Sequence, residues 1–397
     1  MAQESLFHSS LSQLSRRGFM RAAMVASAGA LVQITTEADL AYAQRRPGKP
    51  APANAVLIDA NENPLGPCTE ACAAVAGLGA KGGRYHFALA QELTRTFAEM
   101  EGLKPEYVRA YAGSSEPLHY TVMAFSSPTR SVVVADPSYE APMRSAGYSG
   151  AKLHKVPLTK DYAHDMKAMV SADPNAGVLY ICSPNNPTGT ITRREDIEYA
   201  LANKPKGSIL LVDEAYIHFS DAQPVLDLVA ADKDLIVLRT FSKIYGMAGL
   251  RCGFAIARPD LLAKLDPYGW NYMPVPATMA AMCSLKDKNL VSTRKKINAD
   301  VRDETFAWLA AKNYSFVRSQ SNCFMVDVKR TPRQFSDAME AKDIYVGRSW
   351  PSWPTHVRVT VGTREEMAAF RKAFKEVMDT PVNTAYEAVE RPVVFLS

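Results

Sequence analysis

Four short apolar runs constrain this 397-residue chain more than any other feature. They lie at 132–135, 178–182, 209–212 and 235–238, and each is apolar throughout instead of alternating with polar residues. A strand with one wet face alternates; a strand buried on both faces does not. Segments of helical spacing separate the runs, 195–202 among them, and others precede them at 70–75 and 89–100. That alternation predicts an α/β fold in three layers, a mostly parallel sheet with helices on both faces. Beyond about residue 272 the pattern changes to a polar helix at 301–312, strands at 323–328 and 357–361, and a helix at 365–378. These predict a smaller α+β domain. The expected division is a leader over 1–43, an extended arm over 44–75, a large domain over 76–270 and a small C-terminal domain over 271–397.

The leader carries its own signal. Ser15-Arg16-Arg17-Gly18-Phe19-Met20-Arg21 precedes a weakly apolar stretch at 22–32, and Ala41-Tyr42-Ala43 offers a small-x-small cleavage pattern. In that order the three features read as a twin-arginine export signal cut after Ala43, leaving a periplasmic or extracellular protein that starts near Gln44. The stretch is shorter than the roughly 18 residues of a membrane span, so no stable membrane insertion is expected. Such a route carries folded proteins, which suits an enzyme loaded with a cofactor before export.

Composition removes other classes. Lys+Arg 46 against Asp+Glu 41 gives a net charge of +5 without a basic run, so no nucleic-acid partner is expected. The 6 cysteines form no CxxC pair and the 7 histidines no HxH or HExxH spacing, so neither a disulfide scaffold nor a metal site is expected. Gly77-Leu-Gly79-Ala-Lys-Gly82 has dinucleotide-loop spacing but no strand before it, and Ser292-Thr-Arg-Lys295 lacks the companion motifs of a serine acyltransferase.

The chemistry sits at the carboxyl end of each apolar run. Asp136-Pro-Ser-Tyr139, Ser183-Pro-Asn-Asn186-Pro-Thr-Gly189, Asp213-Glu-Ala-Tyr216 and Arg239-Thr-Phe-Ser242-Lys243 come directly after the four runs. Ligands of open α/β sheets bind outside the carboxyl ends of the strands, so Tyr139, Asn186, Asp213, Tyr216 and Lys243 can converge on one crevice. Pyridoxal phosphate wants this set. Its aldehyde needs a lysine for a Schiff base and its pyridine nitrogen a carboxylate. Its phenolic oxygen needs donors such as Asn186 and Tyr216, and its ring an aromatic lid such as Tyr139. Its phosphate needs a helix start with hydroxyls and an arginine, as Gly113-Ser114-Ser115, Ser242 and Arg251 offer.

Asn61-Glu-Asn-Pro-Leu-Gly-Pro67, Ser183 to Gly189, Asp213-Glu-Ala-Tyr216, Thr240-Phe-Ser-Lys243, Gly249-Leu-Arg251-Cys-Gly-Phe254 and Arg358-Val-Thr-Val-Gly-Thr-Arg364-Glu-Glu366 together resemble the fold-type-I pyridoxal-phosphate aminotransferases. Within them the chain is most similar to the histidinol-phosphate aminotransferase branch. The resemblance implies a homodimer that transfers an amino group between an L-amino acid, or a histidinol-phosphate-like amine, and a 2-oxo acid. It makes Lys243 the Schiff-base lysine and proton shuttle, and Asp213 the partner of the pyridinium. Asn186 and Tyr216 take the phenolic oxygen, Tyr139 the ring, and Ser114, Ser115, Ser242 and Arg251 the phosphate. It sends Tyr85 to the partner subunit's phosphate and gives the substrate carboxylate to Arg358.

The branch places an arginine where this chain has Gly347, with Arg348 one position later and Trp350 and Trp353 beyond. Arg348 is therefore a further substrate-binding candidate, while the two tryptophans either line an aromatic pocket entrance or pack under a loop. Two rival functions are another pyridoxal-phosphate reaction (racemase, decarboxylase or lyase) and a non-enzymatic amino-acid sensor. A 2-oxo acid product separates transamination from both.

Overall fold

The four apolar runs are neighbours in one sheet. In a computed structural model, residues 33–45, 50–269 and 272–382 are described, and from Thr35 onward they belong to one compact unit. Arg16, Arg17, the stretch 22–32 and the tail after residue 382 lie outside the described residues.

The strands in chain order are β1 (Val56–Ile58), β2 (Val108–Tyr111), β3 (Ser131–Asp136), β4 (Leu153–Pro157), β5 (Ala176–Cys182), β6 (Ile209–Asp213), β7 (Leu235–Thr240), β8 (Gly253–Ile256), β9 (Cys323–Asp327), β10 (Ile344–Val346) and β11 (His356–Thr360). Seven of them form the main sheet in the order β2-β8-β7-β6-β5-β3-β4. All pairings are parallel except the two made by β8. Every residue of β5, β6 and β7 is buried, which is why their sequences are flat instead of alternating. Helices Ser115–Phe125 and Ala141–Ser149 are among those that cover the sheet.

Parallel register sets the functional edge. Cys182 pairs with Asp213 and Asp213 with Leu238, so the residues after each strand emerge side by side. The chain comes unusually close to β5: a Cβ on Gly177 would meet the carbonyl oxygen of Phe125 at 2.0 Å. Only glycine lets the helix end settle there.

A second layer carries the other half of the site. β9 and β11 pair antiparallel, with Arg358 opposite Met325, and β1 pairs with β10 in parallel. Their apolar faces, with Phe324, Phe335, Phe370 and Phe374, form one buried cluster. The amide of Arg358 donates to the carbonyl of Arg348 at 2.9 Å, so the two arginines leave adjacent backbone positions.

The polar helix expected over 301–312 is longer, running Leu290–Ala311. Its first half has few apolar positions, but Arg294 turns inward and donates to the carbonyl of Ile244 at 3.0 Å. Lys295, the lysine of the serine–lysine spacing, pairs with Asp221 on the outside. Trp350 packs under the site. It is buried with Val317 and Met325, and its indole N–H donates to the carbonyl of Ser138 at 2.8 Å. Trp353 meets Tyr162 edge-on at 5.4 Å.

Candidate active site

A cavity of about 260 Å³ opens beyond the carboxyl ends of β5, β6 and β7. Ser114, Ser115, Tyr139, Asn186, Asp213, Tyr216, Ser242, Lys243 and Arg251, all singled out from the sequence, line it. All but Arg251 come near a strand end or a helix start, and Arg251 leads into β8, which runs antiparallel and so begins at the same edge, so the convergence follows from sheet register.

Asp213 ends β6 and is buried. Its Oδ2 accepts from the Tyr180 hydroxyl at 2.9 Å and its Oδ1 from the Ala215 amide at 3.1 Å. Burial pushes its carboxyl up to about 6, against the pull of Tyr180, the Ala215 amide and the Lys243 ammonium. No arginine or lysine pairs with it among the described residues. A buried carboxylate in that state is completed by a cation. Lys243, past the end of β7, is buried too; among the described residues its Nζ has one hydrogen bond, to the carbonyl of Ala60 at 3.4 Å, and it lies 5.6 Å over the Tyr216 ring. Burial pushes its amine down, towards the neutral form a nucleophile needs.

The far end of the cavity is built for a phosphate. The helix Ser115–Phe125 begins there, and no capping bond from Ser114 occupies its first amides. Arg251 Nη1 donates to Ser242 Oγ at 3.3 Å and to the Ala248 carbonyl at 3.0 Å. Gly113 has φ +92°, and a Cβ on it would lie 2.2 Å from the Arg251 guanidinium. That cradle leaves room for an anion between a helix start and a guanidinium and for nothing bulkier on the backbone. Cationless carboxylate, desolvated amine and phosphate cradle fit pyridoxal phosphate at its nitrogen, its aldehyde and its phosphate respectively.

The two arginines are buried side by side and are not among the residues that line the cavity. Arg358 is fully buried, which removes the reading of it as a surface ion-pair partner. Its Nη1 donates to Asn186 Oδ1 at 2.9 Å and its Nη2 to the carbonyl of Asp59 at 2.6 Å. Arg348 is buried beside it, above the Trp350 ring at 5.1 Å, and pairs with Glu140. The Tyr216 hydroxyl accepts from Asn61 Nδ2 at 3.0 Å, while the Asn61 amide donates to Thr360 Oγ1 at 2.9 Å. This ties the Asn61 motif to both layers.

Tyr85 is placed as a residue directed to a partner subunit would be, whereas Glu37 stands apart from the sequence reading. Tyr85 lies outside the cavity: it is 70% exposed and stacks on Phe87 at 5.5 Å, near Tyr272. Glu37, which falls within the expected leader, lies inside it. Its Oε1 accepts from Arg358 Nη2 and its Oε2 from Arg348 Nη2, both at 2.7 Å. Burial pushes this carboxyl up, but Arg348, Arg358 and Lys243 outweigh it and hold the group down at about 2. One local signal marks the segment: Thr36 and Asp39 form a reciprocal cap, the start of a helix that an export leader does not need.

Comparison with known proteins agrees with the geometry. The family model described as aminotransferase class I and II matches residues 53–374. A histidinol-phosphate aminotransferase of Symbiobacterium thermophilum is 34% identical over 331 residues, covering 81% of this chain and 90% of that one. An aromatic amino acid aminotransferase of Cutibacterium acnes is 30% identical over 318 residues, 79% of this chain and 90% of that one. Among solved structures, histidinol-phosphate aminotransferase from Sinorhizobium meliloti in complex with pyridoxal-5'-phosphate superposes with TM-score 0.76 at 22% identity, covering 87% of this chain and 95% of that one.

Proposed function

Because this chain belongs to the class I and II aminotransferase family, and so is a pyridoxal-phosphate-dependent transaminase with the fold-type-I architecture, we propose that its cavity transfers the amino group of an L-amino acid whose carboxylate is received by Arg358. The observation that carries this reading is the Glu37 carboxylate, which lies between Arg358 and Arg348 within the same cavity as Lys243.

Asp213 would hold the cofactor's ring nitrogen, Tyr139 its ring face, Asn186 and Tyr216 its phenolic oxygen, and Ser114, Ser115, Ser242 and Arg251 its phosphate. The cofactor, when bound, supplies an electron sink for the carbanion left at the substrate's α-carbon. The chain's own residues do the rest. Lys243 Nζ, pushed towards the neutral form by burial, takes the α-proton and would deliver it to the carbon that carried the cofactor's aldehyde, a step worth roughly 10²–10⁴-fold. Arg358 and Asn186 fix the carboxylate so that the α-hydrogen faces Nζ. Trp350, beneath both guanidiniums, keeps them from swinging away and excludes water on that side.

The product tests the reaction. Loaded protein that starts near Gln44, given L-amino acids or histidinol phosphate with 2-oxoglutarate, is expected to yield glutamate and the donor's oxo product. Carbon dioxide, D-amino acid or ammonia instead would move the assignment to a decarboxylase, racemase or lyase. Arg358→Ala is expected to raise the donor KM about 10- to 150-fold, the loss of a charge-assisted pair worth roughly 1.5–3 kcal/mol, with cofactor affinity unchanged. An unaltered KM for every donor would reassign the residue.

Two wider parts of the proposal concern assembly and place. The protein works as a homodimer, in which the exposed trio Tyr85, Phe87 and Tyr272 packs on a second copy and Tyr85 reaches the partner subunit's phosphate site. The trio's ring separations of 5.2–5.6 Å make it one aromatic patch, which supports a docking role. The enzyme is exported by the twin-arginine route, supported by Arg16-Arg17 and by Ala41-Tyr42-Ala43. With Arg16 and Arg17 both changed to Lys, the protein is expected to stay uncleaved in the cytoplasm. A form starting near Gln44 outside it would refute the twin-arginine reading.

A further inference from the structure

We propose that residues 35–43 are an intramolecular occupant of the substrate-carboxylate site, which silences amino-group transfer until the chain is cut after Ala43. The inference rests on the reading of Arg358 as the carboxylate receptor. Both oxygens of Glu37 are engaged by groups a substrate carboxylate needs: Oε1 by Arg358, and Oε2 by Arg348 and, at 3.3 Å, by Asn186 Nδ2. Charge-assisted bonds of this kind are among the strong ones, and a tethered group competes at an effective concentration around the millimolar range.

The segment is seated, not draped. The Thr35 amide donates to Nε2 of buried His119 at 3.0 Å, and Ser145 Oγ holds the other ring nitrogen at 2.6 Å. Thr36 and Asp39 cap the helix Glu37–Tyr42, whose own Leu40 and Ala41 are buried. Downstream, Arg45 grips Asp59 through two bonds, 2.9 and 3.0 Å. Between these anchors Tyr42, Ala43 and Gln44 are exposed, so the expected scissile bond lies on the surface. Cutting it leaves Arg45 with the enzyme and Glu37 on a short leader piece that gains the freedom to leave.

The geometry also separates cofactor from substrate. No hydrogen bond or ion pair joins Glu37 to Asp213, Ser114, Ser242 or Arg251 among the described residues. The occupant therefore takes the carboxylate receptors without bonding to the phosphate cradle, although Thr36, Glu37 and Ala38 line the same cavity as that cradle. A precursor could be loaded with cofactor and still be unable to consume amino acids before export.

The test compares three loaded proteins: the full chain, the full chain with Glu37→Ala, and a full chain with a site-specific protease sequence inserted after Ala43 and cut once purified. Succinate, an unreactive carboxylate, is titrated by calorimetry, and pyridoxal phosphate affinity is read from absorbance. Succinate is expected to bind roughly tenfold or more tightly to the Glu37→Ala and cut proteins than to the full chain, with cofactor affinity equal in all three. Equal succinate affinity throughout would overturn the inference. Weaker binding in Glu37→Ala would also overturn it, by making Glu37 part of the binding set. Tight succinate binding in the opened proteins with no oxo product from any would strike the proposed reaction and leave the occupant standing.

Discussion

Replacing Lys243 by alanine is expected to lower turnover by about 10⁴-fold or more while the protein still binds pyridoxal phosphate. Among the described residues the amine is the only basic side chain lining the cavity apart from Arg251, and burial already pushes it towards the neutral, proton-accepting form. Cofactor retention is expected because Asp213, Ser114, Ser242 and Arg251 are untouched. The fold should survive, since Nζ has a single hydrogen bond among the described residues, 3.4 Å to the Ala60 carbonyl. Steady-state rates with cofactor stoichiometry, measured on protein cut after Ala43 with and without the substitution, check this. Near-normal transamination by the Lys243→Ala protein would remove the basis of the whole site assignment.

Asp213→Asn is expected to cost on the order of 10²–10³ in turnover, because a fixed charge aimed at the cofactor's nitrogen is removed from a water-poor cavity. The substitution keeps the shape but only one acceptor: with the amide oxygen facing the Ala215 N–H, Nδ2 faces the Tyr180 hydroxyl, which must turn to accept. The same residue predicts a pH effect on the cofactor-free fold. Burial raises the carboxyl from the ordinary 3.8 to about 6, so the folded state holds the proton more tightly than the unfolded state. The stability this gives is full below pH ~4 and is lost as pH rises through about 6, a difference of roughly 3 kcal/mol at most. Cofactor-free Asp213→Asn should therefore gain on the wild type at pH 8 relative to pH 4. Parallel stability curves across that range would show that Asp213 meets its charge in another way.

Much of the site was legible in the sequence because its signal is local. Asp213 comes after the run at 209–212 without a gap, and Lys243 and Asn186 lie within a few residues of their runs. Parallel pairing then brings those ends together without further information. Long-range contacts have no such signature. The Asn61–Tyr216 bond spans 155 positions and the Arg358–Glu37 pair 321, and neither is written in any spacing. β8, four residues long, runs against its neighbours and carries no turn signal to announce it. Trp350 shows the same limit: an aromatic beside an arginine fits a pocket entrance or a floor equally well, and only packing against Val317 and Met325 decides for the floor. Glu37 was hidden for another reason. An acid in a segment read as an export leader has no structural meaning unless that segment folds onto the enzyme.

The most direct measurement is an absorption spectrum of the Glu37→Ala chain with pyridoxal phosphate, before and after a mixture of L-amino acids. That variant leaves the carboxylate site open whether or not the wild-type leader blocks it. The account predicts a long-wavelength band from cofactor held on Lys243, which fades on adding amino acids as the pyridoxamine form appears. No such band at any cofactor concentration would contradict the account from Lys243 outward.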